Sequence, residues 1–451
     1  MIEWRAKPDT RSTKKVVSVV MAAALCVACL VLIEDPVLMR AAIIASAYLV
    51  LLLSEVVPPF VPTMLLLVAT PILLGPFGAS YQLPAVLTWP ADPVLVLFGG
   101  GLVLGLAARR HGLDTAIAHT VLRLSGGKQR SLMALVLLGT AALSMWMSNI
   151  AAAAVMLTAL RPALGSMPLG DPFRRAVLLS LAIGANLGGM ATPIGSGPNA
   201  IAIAAAWDRH RISFLEWMGF AVPLVLAMLG FAYLVLMMRY RVRGMFEHGE
   251  LFQIPHGRKT RAVVILFIVA VAAWISEPFH GISPPLIALA LAFVLFGTGL
   301  LNQKDLGAVD WSTLGLIGGG ISLGKLIERT GLFSQVTELT DWTMMPSVAL
   351  LGGLALASAM LSAVMSNTAT AALLVPLGMT LLPSPTTAVI IAIAASFGMP
   401  FIVSTPPNAM VYGERGLTAR DFLSVGLPLM LVGCSLVALT GVFVLRVFGV
   451  R

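Results

Sequence analysis

Two short sequences carry the residue types that could do chemistry here: Ser148-Asn149-Ile150 and Ser366-Asn367-Thr368. Each follows another serine by four residues, Ser144 and Ser362, a spacing that puts both serines on one helical face. Two proline- and glycine-rich clusters accompany them. Ala191-Thr192-Pro193-Ile194-Gly195-Ser196-Gly197-Pro198-Asn199 cannot run as regular helix, and neither can Pro400 to Asn408, with Ser404-Thr405-Pro406-Pro407-Asn408. Proline withdraws a backbone donor and frees the carbonyl one turn earlier. The stretches 131–160, 176–207, 347–381 and 387–413 around these motifs hold no Asp, Glu, Lys, Arg or His. Such groups bind ions; they do not break bonds. A helix start offers N–H groups and partial positive charge to an anion. A helix end, with its carbonyls and the Ser and Asn oxygens, suits a small hard cation. A divalent anion with no fixed positive charge beside it at mid-membrane would be costly, so co-bound cations should neutralise it. No side chain in these stretches can carry a proton, which makes sodium the natural cation. An intramembrane hydrolase would need a His base, an Asp pair or a zinc motif within a span. All six histidines (111, 119, 210, 248, 256 and 280) fall in connections or at span edges.

The elements that position these motifs follow from hydropathy. The chain has 451 residues, 58% hydrophobic and 11% charged, with a mean hydropathy of +0.95; a soluble domain is about a quarter charged. Apolar runs predict an all-α polytopic membrane protein with about eleven crossings: 16–33, 37–57, 60–75, 94–108, 176–206, 218–238, 262–276, 285–301, 312–326, 387–413 and 422–447. The stretches 131–160 and 347–381 exceed one span, fall short of two, and are polar in the middle. They read as re-entrant helical hairpins with the Ser-Asn sequences at their tips. The crossings 176–206 and 387–413 read as broken helices whose freed groups line a cavity.

The net charge of +9 sits in connections and does not mark a nucleic-acid surface. With the N-terminus inside, segments 1–15, 109–130, 161–175, 239–261, 302–311 and 414–421 face the cytoplasm and hold 22 of the 29 Lys and Arg, as the positive-inside rule requires. This predicts an inner-membrane protein with an external C-terminus. Cys26, Cys29 and Cys434 lie in apolar runs and imply no disulfide framework or metal site.

The chain also repeats itself. Phe98-Gly99-Gly100-Gly101 with Gly112-Leu113 returns as Gly318-Gly319-Gly320 with Gly331-Leu332; the Met-Ser-Asn tips and the Gly-Met…Pro-Asn breaks return in the same order. After an N-terminal tail and first span (1–36), the domains are therefore a first repeat over 37–238, a cytoplasmic loop at 239–261, and a second repeat over 262–451. By the topology above, one hairpin enters from the cytoplasm and the other from outside. That makes the repeats inverted, an arrangement that places a transporter's site near the midplane.

On these motifs the chain resembles the divalent anion:sodium symporter family, the di- and tricarboxylate carriers, over nearly its whole length. The resemblance implies a homodimer among membrane lipids, in which a transport domain slides as an elevator against a scaffold. It implies sodium near Ser144, Ser148, Asn149 and Gly195, and again near Ser362, Ser366, Asn367 and Ser404. It implies an anion, most simply a C4-dicarboxylate such as succinate, malate or fumarate, held by Asn149, Asn367, Thr368, Thr405 and Pro406. Ile150, Ser196, Asn199 and Asn408 complete the candidate binding set. Two departures stand out: Ile150 replaces the usual threonine, and Gly-Ser-Gly-Pro-Asn replaces the commoner Gly-Thr-Pro-Pro-Asn. The alternatives are a sulfate or other oxyanion carrier, or a sodium-independent dicarboxylate exchanger.

Overall fold

A computed structural model describes residues 21, 24, 28–31, 33–54, 56–165, 167–246, 257–332 and 346–447. The expected first span at 16–33 lies largely outside these residues, as do the tail before it and the centre of the 239–261 loop. Within them the chain is helical and no β-strand occurs. Every other expected crossing has a helical counterpart. Pro36–Ser54, Pro93–Arg110, Phe214–Tyr240 and Ala419–Gly441 are each long and apolar enough to cross a membrane. Shorter apolar helices, such as Gln129–Ser144 and Asn367–Leu381, are the halves of interrupted elements.

Both hairpins form. The first pairs Gln129–Ser144 with Asn149–Gly165, and the second pairs Ser347–Ser362 with Asn367–Leu381. Both breaks form too: Pro172–Gly188 stops before Gly197–Ala206, and Pro385–Ala395 stops before Pro406–Gly413. Local chemistry sets the helix starts. Asp171 caps the helix before the first break by accepting from the Phe173 and Arg174 amides, with Pro172 at the first position; Thr405 caps Pro406–Gly413, after the second break, by accepting from the Asn408 amide. Such caps contribute about 1 kcal/mol each.

One helix longer than five residues was not expected. The segment 109–130 reads as a charged connection, yet Leu113–Leu124 is a helix. Gly112, at φ 73°, turns the chain out of the preceding helix and into this one. Asp114, His119 and Arg123 masked a stripe whose Ala118, Val121 and Leu122 are buried.

The described residues sort into two compact units, those of Met1–Asp92 with Trp311–Trp342 and those of Pro93–Asp310 with Thr343–Arg451. In the first unit, Trp311–Thr330 packs closely on the first two helices, because a Cβ on Gly319 would overlap Thr63 Oγ1 and stand 2.8 Å from the Tyr48 hydroxyl. In the second, a Cβ on Gly100 would stand 2.5 Å from Ala288 Cβ. Both glycine triplets therefore serve close helix packing.

Polar contacts in the second unit join several of the basic connections. Gln129 N–H donates to the Gly244 carbonyl (3.2 Å), and Thr260 Oγ1 donates to the His111 carbonyl (3.1 Å). Arg110 pairs with Asp305. Arg174 donates to the carbonyls of Glu414 (2.7 Å) and Arg415 (2.6 Å). Segments 109–130, 239–261 and 302–311 thus meet one another, and 161–175 meets 414–421.

Candidate functional site

The second unit brings both hairpin tips and both breaks together. At the first tip, Ser144 Oγ lies 2.8 Å from Asn149 Oδ1 and 2.6 Å from the Ala185 carbonyl, to which it donates. At the second, Ser362 Oγ lies 2.7 Å from Asn367 Oδ1. Both serines are fully buried. Ser148 Oγ accepts from the Ala151 amide (3.3 Å), and Ser366 Oγ accepts from the Ala369 amide (3.2 Å). Each tip therefore starts its second helix with a serine cap and turns an asparagine back toward the serine that ends the first helix.

Close backbone approach sets each tip on its break. Gly184 and Gly188 let the first hairpin lie against Pro172–Gly188: a Cβ on Gly184 would stand 2.5 Å from the Leu137 carbonyl oxygen. Gly189 lies beside Asn149. A Cβ there would be 3.2 Å from Asn149 Cγ and 3.2 Å from the Gly195 carbonyl oxygen, and would overlap Asn149 Oδ1. Ser144, Asn149 and Gly195 thus present oxygens to one small region. At the second site Ser404 Oγ donates to the Ala363 carbonyl (2.8 Å) and accepts from the Phe401 amide (3.1 Å). Gly197 of the first break faces Thr368 of the second tip, and a Cβ on it would stand 2.5 Å from Thr368 Oγ1.

The remaining candidates divide by environment. Ile150 is 49% exposed at the first tip, Pro406 is exposed, and Ser196 is half-buried. Asn199 and Asn408 are buried and turn their NH2 groups into their own loops. Asn199 donates to the Gly189 and Thr192 carbonyls, both at 2.8 Å. Asn408 donates to the Met399 (3.1 Å) and Phe401 (2.8 Å) carbonyls. These four carbonyls are among those the break leaves without a helical donor, so the paired asparagines hold the loops open and regular. Thr192 Oγ1 adds a bond to the Met145 carbonyl, and Trp217 Nε1 donates to the Met190 carbonyl (3.0 Å).

Sequence reasoning missed Asn186. Its Nδ2 donates to Thr405 Oγ1 (3.1 Å) and Asn408 Oδ1 (3.3 Å), tying the first broken helix to the second break. Its Oδ1, Asn199 Oδ1, Thr370 Oγ1 and Ser396 Oγ are buried without a partner. The signal was an amide within the apolar stretch 176–188, ahead of the break. Among the described residues no group of three His, Cys, Asp or Glu side chains could hold a metal ion; the oxygens here are neutral hydroxyl, amide and carbonyl groups, a donor set suited to alkali ions.

Known proteins agree with this picture. A family profile described as "citrate transporter" matches residues 49–395 and again 272–450. An uncharacterized transporter of Haemophilus influenzae is 30% identical over 379 residues, 78% of this chain and 81% of that protein. The sodium-dependent dicarboxylate transporter SdcS of Staphylococcus aureus is 26% identical over 432 residues, 84% of this chain and 81% of that protein. The crystal structure of the YdaH transporter of Alcanivorax borkumensis shares the fold, with a TM-score of 0.60 at 16% identity over 87% of this chain and 99% of that one. A helical chain with paired hairpin tips and breaks, matched over most of its length by transporters and by no enzyme among these relatives, is a multi-pass membrane transporter, and it belongs to the citrate transporter family of di- and tricarboxylate carriers.

Proposed function

We propose that the chain is a secondary active transporter that carries a small divalent anion with sodium, most simply a C4-dicarboxylate such as succinate, malate or fumarate. The mirrored tips carry this reading: at each, a buried serine hydroxyl and an asparagine carbonyl oxygen meet within 2.8 Å, in stretches that themselves hold no charged residue. One sodium would take oxygens from Ser144, Ser148, Asn149 and Gly195, and the other from Ser362, Ser366, Asn367 and Ser404. The anion would lie between the tips, held by Asn149, Asn367, Thr368 and the Thr405-Pro406 start, with Ser196, Asn199 and Asn408 shaping the breaks and Ile150 as an apolar wall. Two positive ions then offset two carboxylates in a site that lacks a fixed cation. SdcS, by name a sodium-dependent dicarboxylate transporter, supports the same assignment. The positive-inside bias supports a cytoplasmic N-terminus in the inner membrane, the matched repeats support an inverted arrangement, and the family resemblance implies elevator movement in a homodimer.

Uptake of labelled succinate, citrate and sulfate into proteoliposomes, with and without a sodium gradient, tests the proposal. Succinate uptake should need external sodium and should not follow a proton gradient alone. Equal uptake in potassium buffer that rises only with internal counter-substrate would replace symport by exchange. Transport of sulfate alone would favour the oxyanion reading, for which the apolar Ile150 is the motivating feature.

A further inference from the structure

The first hairpin tip is not remote from every fixed charge. A cleft of about 100 Å³ in the second unit is lined by Met147, Ser148 and Ala151 of that tip and by Leu102, Leu106 and Arg109 of Pro93–Arg110. The two elements touch one turn before the arginine: a Cβ on Gly105 would stand 3.0 Å from both Met147 Cβ and the Trp146 carbonyl oxygen. Residues 102, 106 and 109 recur at helical spacing and face the cleft as one stripe. One turn of helix rises about 5.4 Å, less than the reach of an extended arginine, so the guanidinium can stand over Ser148. Arg110 is paired with Asp305, whereas Arg109 is exposed and has no hydrogen-bond or ion-pair partner among the described residues. Asp310, also on the cleft wall, already has an interaction of its own. A half-buried hydroxyl and an unengaged guanidinium across a cleft this size match one carboxylate, which a guanidinium takes with two parallel bonds.

We propose that this cleft is a second anion station, in which Arg109 and Ser148 hold a carboxylate of the substrate between the paired tips and the basic face of the protein. The proposal rests on the anion-carrier reading above. It assigns the arginine to binding from one side: substrate arriving from or leaving to the basic face meets the guanidinium, and substrate arriving from the opposite face does not. A tricarboxylate, with a carboxylate to spare beyond those at the tips, gains more from it than a dicarboxylate.

The test compares wild type, Arg109→Gln and Arg109→Lys in sided proteoliposomes, using succinate and citrate, alongside thermal shifts produced by each anion in detergent. In Arg109→Gln the KM measured from the basic face should rise about tenfold, the loss of one charge-assisted contact. The rise should be larger for citrate, and the KM from the other face should stay within twofold. Arg109→Lys should recover part of the loss, since it keeps the charge without the fork. An unchanged basic-face KM in folded Arg109→Gln overturns the station. So does an equal rise on both faces, or a fall in thermal stability without substrate as the only effect, since that is what a cation offsetting the helix-end dipole would show. Wild-type behaviour separates the two readings. A wild type that binds citrate by thermal shift but moves none refutes transport and leaves the Arg109 comparison intact; a wild type that neither binds nor moves these anions overturns both.

Discussion

Gly189 and Gly398 occupy matched places in the two repeats, yet adding one methyl group to each should fail in different ways. At Gly189 the new Cβ meets a side chain. It would stand 3.2 Å from Asn149 Cγ and overlap Oδ1, whereas ordinary carbon contacts lie near 3.5–4.0 Å. The Asn149 carboxamide must retreat by roughly an ångström, which breaks the 2.8 Å contact with Ser144 and fills the space facing the Gly195 carbonyl. Overpacking of this kind costs about 1–3 kcal/mol. It falls on the proposed sodium site because the hairpin can keep its backbone while the amide swings away. At Gly398 the new Cβ meets main chain: 2.7 Å from the Ala359 carbonyl oxygen, 2.8 Å from the Ala363 nitrogen and 2.7 Å from Ser362 Cβ. No rotamer relieves that contact, so the helix Ser347–Ser362 must be pushed off its neighbour.

Gly189→Ala should therefore leave a folded protein whose half-saturating sodium concentration rises about tenfold or more, while Gly398→Ala should lower the thermal midpoint in detergent before any binding is measured. The assay pairs sodium titration of succinate uptake with thermal unfolding of the same preparations. Gly189→Ala with wild-type sodium dependence would refute the placement of the cation between Asn149 and Gly195. Equal thermal losses in both variants would refute the distinction between side-chain and backbone contact.

Ile150→Thr should tighten apparent succinate affinity at saturating sodium by about tenfold, the worth of one charge-assisted bond, and Thr368→Ile should nearly abolish it; a weaker Ile150→Thr would mean that the isoleucine fits another anion and would remove the dicarboxylate assignment. Asn199→Ala and Asn408→Ala should both destabilise, since each removes two hydrogen bonds to the carbonyls of its loop. Asn408→Ala should cost about 1 kcal/mol more, because Asn408 also accepts from Asn186 while Asn199 Oδ1 has no partner; equal thermal losses would count against this ranking.

The site was legible in the sequence where the backbone is irregular. Proline and glycine at Pro193, Gly195, Gly197, Pro406 and Pro407 forbid continuous helix, and an apolar run cannot be broken inside a membrane without purpose. The breaks, and the hairpin tips matched to them, therefore appear before any coordinates do. Side chains acting from within regular helix leave no such mark. Arg109 was counted among the charges of a connection, because sequence shows that a basic residue ends a span but not that Gly105, one turn back, brings that span against a hairpin tip. Leu113–Leu124 was lost for a related reason: charges at helical spacing read as loop when the neighbouring runs are so much more apolar.

Asn186 was the hardest to read, and its position explains why. The repeat argument finds residues by matching the two halves, and the offset of 209 that relates the breaks carries Asn186 onto Ala395. The amide therefore has no counterpart, although Asn199 and Asn408 correspond and clamp their loops alike. Its two bonds, to Thr405 and Asn408, reach from the first repeat into the second, so the second break is held partly by a residue outside its own repeat, with no counterpart for the first. The departure from symmetry at Asn186 adds to the one at Ile150 and Thr368: the second tip has the hydroxyl and the second break has the extra amide. An anion bound between two such halves, as proposed, would meet more fixed polar groups on the second side, and those groups are better held. That is the physical ground for expecting Thr368→Ile to be more damaging than any change at Ile150.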